Sequence, residues 1–533
     1  MKTFFRINLA IICLFSFSVL YPEQTIQEKT EKFREETAQK KSNTPVKKID
    51  YLSLKEAILI ALSNNVNLKN LEYELVKSDT GLLKSQSKYS WRVLGGLDSQ
   101  KSVLPFNQLN LLSGTKTQND KITIGLEKIF ITGTYFKLEA SSTRFDSNAF
   151  EDPSTTPSGF RALGIPPLYT GAITATLSQE LLKNSFGFQD RNNERILENQ
   201  AAITRDELVY KLSGSVVQTL VDYWGFSVAD AALKAYEKLL SNAKNVRDLT
   251  RQKQNIGLAE KFEINQWNAL VAQAENQMEK AKVDREEAKR KLIRAMGLST
   301  DSDVTGAGEL FDNPPDMNFE KDLEFAFKNR IDFKNLQRRK QIVELTIKNA
   351  ENSALPSLTA SGSYASKGQT LVSPQENYIN QSSGIPSFKF EERAGQLKMV
   401  YPIADRGVRA TIRDAHISMR QTLLSEDDLK KEIRDEIRTR ISSVEANHKI
   451  LKNSAQSFKD AESYYNGILS SFRKGRFTAV AVKNALDTVV QNQLQWTQAK
   501  INFNIDVLRY ELSKNSLFEK FKIDVNSLVP DVN

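Results

Sequence analysis

Two histidines and one cysteine are all that this 533-residue chain offers for imidazole or thiol chemistry. A Ser-His-Asp or Cys-His centre would have to use His416 or His448, and both stand in charged sequence of helical pattern. Cys13 follows Ile12, whereas lipidation needs a small residue just before the cysteine, so a lipoprotein anchor is the less favoured reading of it. A structural disulfide and a His/Cys metal site are not expected. Neither GxxxxGK[ST] nor GxGxxG occurs, so no phosphate cradle is expected either. No catalytic, cofactor-binding or metal-ligating residue is assigned, no cofactor is expected, and an enzyme is disfavoured.

The elements that surround these few residues are more telling. Lys2 and Arg6 precede an apolar run from Ile7 to Phe15, and Ser16-Phe17-Ser18 suits cleavage after Ser18. The run is too short to span a bilayer, so export is expected, with residues 1–18 as signal peptide and 19–50 as a charged linker. Loss of Lys2 and Arg6 takes the net charge from +9 to +7, a spread-out excess that does not point to nucleic acid. No later segment reads as a membrane-spanning helix; "VVQTLVDYWGFSVADAAL" is broken by Asp222 and Asp230. An exported chain of this kind is either soluble or crosses an outer membrane with strands.

The sequence is written twice. Gln273, Gln277, Ala281 and Lys282 recur as Gln491, Gln495, Ala499 and Lys500, at a constant offset of 218. Ala61, Asn64, Lys69, Asn70 and Leu71 recur as Ala326, Asn329, Lys334, Asn335 and Leu336, at an offset of 265. Two halves are expected, 51–300 and 320–515, joined by a linker at 301–319 and followed by a tail at 516–533. Each opens with an amphipathic helix, 53–88 and 320–353, the first capped by Ser53 with Glu56 closing a capping box. The period then changes to two. Ile122, Ile124 and Leu126 share a face; Phe136, Leu138 and Ala140 alternate with Tyr135 and Lys137; Ile173, Ala175 and Leu177 alternate with Ala172, Thr174 and Thr176. Strands are expected at about 91–180 and 356–403. A long helix pair closes each half, at about 189–297 and 406–515. The stripe Val209, Leu212, Val216, Leu220, Trp224, Val228 and Ala231 suits a coiled-coil seam, on a rod of about 85–90 Å. Gly257 and Gly475 are expected to end the outgoing helices in αL conformation. The small and polar residues of the return helices suit packing around a wet interior.

"LSLKEAILIALSNNVNLK", "LSQELLKNSFGFQDRN", "VYPIADRGVRATIRDA" and "KRKLIRAMGLS", in this order with the two hairpin glycines, resemble the TolC family of outer-membrane exit ducts over about residues 51–515. The resemblance implies an α+β fold: an outer-membrane β-barrel continuous with a long periplasmic α-helical coiled-coil barrel, two structural repeats per protomer, and a homotrimer. It implies a passive exit duct of a tripartite efflux pump or type I secretion system. Its partners would be outer-membrane lipid, a periplasmic adaptor (membrane fusion) protein and an inner-membrane pump.

The periplasmic tip would be formed by Gly257 and Gly475. Glu263 stands at the family's acidic gate position in the first half. In the second, Ala481 and Asn484 occupy the acidic positions, with Asp487 one turn beyond, so Glu263, Asn484 and Asp487 are the candidate gate. Arg473, Lys474 and Arg476 are candidate adaptor contacts; all of these also read as solvated helix charges. Pro402 and Gly407 are expected to shape a strand-to-helix passage rather than a substrate site. Trp91, Tyr135 and Phe136 read either as interfacial aromatics or as core. The first half has a 43-residue surplus between Tyr89 and Glu180, relative to Ala354 and Pro402. Four core barrel strands per protomer are expected, the surplus forming an extra hairpin around "FITGTYF" or longer loops. The rival reading is an exported soluble coiled-coil scaffold or adhesin with a small β head.

Overall fold

The computed structural model describes residues 48–521 except 106, 108–113, 152–157, 160–165, 258–259, 306–309, 372–389 and 402. The expected signal peptide, most of the charged linker, Pro402 and the end of the tail lie outside the described residues.

The first opening helix starts as its local chemistry requires. Ser53 caps α1 (Leu54–Asn64): its Oγ accepts from the Glu56 N–H, and the Glu56 carboxylate accepts from the Ser53 N–H at 3.1 Å. The expected single helix over 53–88 is nevertheless broken. Asn65 leaves the helical basin at ψ 122°, and its Oδ1 caps α2 (Val66–Val76) by accepting from the Asn67 and Leu68 N–H groups. A 3-10 turn at Lys77–Asp79 then precedes α3 (Thr80–Gln86). The second half breaks at the position 265 residues on: α6 (Phe319–Asn329) and α7 (Ile331–Asn352) meet at Arg330, at ψ 131°. Asn318, 265 beyond Ser53, caps α6 by accepting from the Lys321 N–H.

The long pairs keep the other offset. α4 (Phe188–Asn255) and α8 (Arg406–Arg473) each contain 68 residues and start 218 apart, as do the return helices α5 (Lys261–Ala295) and α9 (Ala479–Lys514). Sixty-eight residues give about 100 Å of helix. Along the expected seam Leu212, Val216, Leu220 and Trp224 are buried. α4 packs between α5 and α9, and α9 between α4 and α8; beyond the return helices α7 takes the place of α9. The helices thus form one layer of four staves, two continuous and two composite. The composite joints match. Asn65 donates to the Ala295 carbonyl at 2.6 Å, and Arg330 to the Ser513 carbonyl at 3.0 Å. Of the four buried clusters among the described residues, two are the largest. One is at the waist, around Leu52, Ile58, Leu220, Trp224 and Leu292; the other is toward the hairpins, around Leu239, Trp267, Phe472 and Leu486.

Two segments expected as linker and tail join the waist. β1 (Lys48–Ile49) pairs in parallel with β6 (Asp303–Val304), and Leu517 of α10 (Leu517–Lys520) is buried against the waist cluster.

The remaining strands form one antiparallel sheet in the order β2-β3-β4-β5-β7-β8: β2 (Arg92–Val103), β3 (Lys116–Ile129), β4 (Thr134–Ser147), β5 (Leu168–Glu180), β7 (Ser357–Leu371) and β8 (Phe390–Val400). The expectation of four core strands is corrected to six. β3 and β4, either side of "FITGTYF", are full members: each runs for 14 residues and is paired on both sides. The register gathers every expected apolar position on one face: Leu126, Leu138 and Ala175 share a row, as do Ile124, Ala140 and Ile173. Ile124, Leu126, Leu138, Ile173, Leu177 and Leu397 are nevertheless exposed. The opposite face carries Ser141, Thr143, Ala172, Thr174 and Thr176, with Glu127, Tyr135, Lys137 and Glu139 toward its helix end.

Candidate functional site

The strand-to-helix passages fix where the sheet delivers the chain to the staves. In the first, Asn184 adopts αL (φ 56°); its Oδ1 accepts from the Gln189 N–H at 2.9 Å, and its amide donates to Glu180 at 2.6 Å and Asp190 at 3.1 Å. Gly187, at φ +73°, packs so closely under the β3–β4 turn that a Cβ there would lie 1.7 Å from the Ile131 carbonyl oxygen. In the second, Asp405 stands 218 beyond Gly187 and caps α8, accepting from the Gly407 and Val408 N–H groups at 2.8 and 3.2 Å. The aromatics divide. Trp91 and Phe136 meet edge-on at 6.3 Å, with the Lys128 ammonium over Trp91, at the edge of the apolar band. This is the pattern of interfacial anchors. Tyr135 lies on the polar face and donates to Glu127 at 2.9 Å, which corrects its grouping with the other two.

At the far end Gly257 and Gly475 have φ +76° and +79°, as expected, and nothing lies within 4 Å of a Cβ built on either. The second hairpin closes as a Schellman motif: Gly475 N–H donates to the Phe472 carbonyl and Arg476 N–H to that of Ser471, both at 3.0 Å. Arg473, Lys474 and Arg476 are exposed around it. Glu263 is half-buried in the first turn of α5, and Asn484 is exposed on α9. Asp487 is half-buried and paired with Lys483 at 2.7 Å, one turn back on the same helix. Along α9 the exposed residues Asn484, Thr488, Gln491, Gln495, Gln498 and Asn502 form one uncharged polar stripe at spacings of three and four.

Lys253 escapes sequence reasoning because a lysine in "RQKQN" reads as solvated. It is 9% exposed, its ammonium donates to the Phe472 carbonyl, and it sits 4.0 Å from the Phe472 ring centroid. It ties the end of α4 to the end of α8, where the helix dipole favours a cation. The available signal was spacing: Ala243, Val246, Thr250 and Lys253 continue the buried stripe.

His416 lies 3.8 Å from Glu351, and the His448 ring meets that of Phe503 at a 45° tilt, with its pKa lowered by burial. Among the described residues no group of three or more His, Cys, Asp and Glu side chains could hold a metal. No helix of the described residues is long and apolar enough to cross a membrane, which says nothing of strands. The layer, the sheet and the two passages are continuous, and the sheet has an exposed apolar band on one face and hydroxyls with paired Tyr135–Glu127 and Lys137–Glu139 on the other.

No protein-family model matches the chain, and no curated protein matches it by sequence. Solved structures do match. The outer membrane protein VceC from Vibrio cholerae superposes with a TM-score of 0.60 at 13% identity, over 86% of this chain and 96% of that one. The CmeC outer membrane channel of Campylobacter jejuni gives 0.58 at 13%, over 89% and 90%. A membrane protein from Pseudomonas aeruginosa gives 0.60 at 12%, over 86% and 93%. The chain has the fold of these outer-membrane channels.

Proposed function

We propose that this chain is one protomer of a homotrimeric outer-membrane channel, a passive exit duct of a tripartite efflux pump or type I secretion system. One observation carries this: a sheet with an exposed apolar band on one face and hydroxyls and paired polar groups on the other continues directly into helices of about 100 Å. Lipid would cover the band, the polar face would line water, and the helices would reach across the periplasm. A soluble scaffold leaves that exposed band without a purpose.

Each protomer is read as two structural repeats, 51–300 and 320–515. Support comes from caps, breaks and joints that recur at offsets of 265 and 218: Ser53 and Asn318, Asn65 and Arg330, Gly257 and Gly475. Duplication gives a trimer six quasi-equivalent units around the tube. The hairpins would form the periplasmic tip, with Glu263, Asn484 and Asp487 at the gate. Arg473, Lys474 and Arg476 would face a periplasmic adaptor that links the duct to an inner-membrane pump. The fold of CmeC and VceC, outer membrane proteins, supports that setting.

The test is the mass of protein extracted by detergent from outer membranes. A particle of about 175 kDa, three 60.3 kDa chains without their leaders, that opens ion-conducting pores in planar bilayers is the expected result. A protein washed off by salt or urea, or a monomer, rejects the channel.

A further inference from the structure

The six-stranded sheet ends on two open edges, β2 and β8. Every residue of β8 is exposed, and so are most of β2. An unpaired edge is not tolerated in hydrocarbon, where no water satisfies its N–H and C=O groups. Because all five internal pairings are antiparallel, the first and last strands also run in opposite directions. Both carry the apolar band on the same face: Val93 and Leu97 on β2, Leu397 and Met399 on β8. On that face the outer end of β8 carries the ion pair Glu391–Arg393, at 3.0 Å, and that of β2 carries Lys101.

We propose that β8 of one copy pairs along its length with β2 of the next, so that three copies close an eighteen-stranded barrel; this rests on the trimeric channel proposed above. The count depends on the β3–β4 hairpin being part of the wall. β3 pairs with β2 at 12 positions and with β4 at 13, and β4 pairs with β5 at 12. Both strands are therefore interior members, and their apolar residues stand in the same rows as those of β5. A ring of four strands per chain would have to expel this hairpin and join β2 directly to β5.

The consequence is width. With strands about 4.8 Å apart and tilted about 40°, eighteen strands give a backbone radius of about 18 Å, against about 12 Å for twelve. The lumen face of β4 and β5 carries a belt of short side chains, Ser141, Thr143, Ala172, Thr174 and Thr176, and its longer Tyr135 and Lys137 are held against Glu127 and Glu139 in the wall, which leaves most of that width open. The membrane segment is then not the narrow point of the duct, and selection falls to the helical end.

Electron cryo-microscopy of the detergent-extracted wild-type protein, with its mass measured in parallel, decides. Eighteen strands in the membrane cross-section are expected; a trimer with twelve overturns the proposal. The edge contact is tested separately by disulfides, since the only cysteine, Cys13, lies within the expected leader. Leu397→Cys is combined in turn with Val93→Cys, Gly95→Cys, Leu97→Cys and Ser99→Cys, which cover the registers that keep the apolar faces together. Oxidation by copper phenanthroline in membranes should give covalent dimers and trimers for one or two of the four. A trimeric mass with no cross-link in any of them overturns the edge pairing. A mass other than trimeric rejects the trimer itself, and the eighteen-strand count with it.

Discussion

Glu426 of α8 is 12% exposed as a side chain and accepts from Lys430 at 2.8 Å and Lys340 of α7 at 3.1 Å. These two donors depress its pKa to about 2. A depressed acid contributes its stability above the unfolded value, near 4.5, and loses it as pH falls toward 2. Glu426→Gln should therefore lower the melting temperature at pH 7 by the equivalent of about 1 kcal/mol, since both lysines are partly solvated. The difference from wild type should shrink between about pH 4.5 and 2; a difference independent of pH there rejects the ion-pair account. Lys253→Met keeps the packing but removes the donor to the Phe472 carbonyl. It should cost about 1–2 kcal/mol and increase protease cleavage at the hairpins first. At this scale legibility followed locality. Ser53 and Glu56 were readable because a capping box is a four-residue rule. Lys253 was not, because its partner lies 219 residues away and only the packed layer brings them together. Tyr135 is different: the alternation already set it beside Lys137, opposite Phe136 and Leu138, and only its partner Glu127, on the neighbouring strand, needed the register.

Glycines separate the elements that need only a conformation from those that also need space. Gly475 has φ +79° with open surroundings, so Gly475→Ala should cost about 1 kcal/mol, the αL penalty alone. Gly187 has φ +73°, and a Cβ there would strike the Ile131 carbonyl, so Gly187→Ala must push the β3–β4 turn off the passage. The expected outcome is near-normal yield of folded protein for Gly475→Ala and loss of most of it for Gly187→Ala, read by heat-modified mobility of membrane fractions. Equal yields reject the close docking. The offsets of 265 and 218 made the helices legible as elements, and both 68-residue rods start where the repeat requires. The breaks at Asn65 and Arg330 were hidden. Asn65 has a local capping signal, but Arg330 has none; its place is fixed by Asp332, Glu436 and the Ser513 carbonyl across the joint. The count of strands was hidden too, because a surplus of length in a strand region can be spent on loops or on a hairpin.

For the whole molecule, a duct gated at its helical end, as proposed above, should take its ion selectivity from the charge there. Asp487 is paired with Lys483 and Asn484 carries no charge, so among the candidate gate residues Glu263 is the carboxylate that has no ion pair among the described residues. Arg473, Lys474 and Arg476 stand exposed beside the second hairpin. A trimer would set three Glu263 side chains against nine such cations, and a gate of this composition should favour cations weakly or not at all. Fields at a narrow mouth are focused by its low-dielectric walls, so a single carboxylate per protomer still registers in selectivity. Glu263→Gln should move the reversal potential toward anions in a salt gradient; Asp487→Asn leaves Lys483 unmatched and adds the same unit of positive charge, so it should move the potential in the same direction, but less if the narrow point lies at Glu263. Both shifts should fade between about 0.1 and 1 M salt, as the screening length falls from about 10 to 3 Å. A larger shift from Asp487→Asn than from Glu263→Gln would place the gate one turn deeper, on α9, and leave the first-half hairpin outside it.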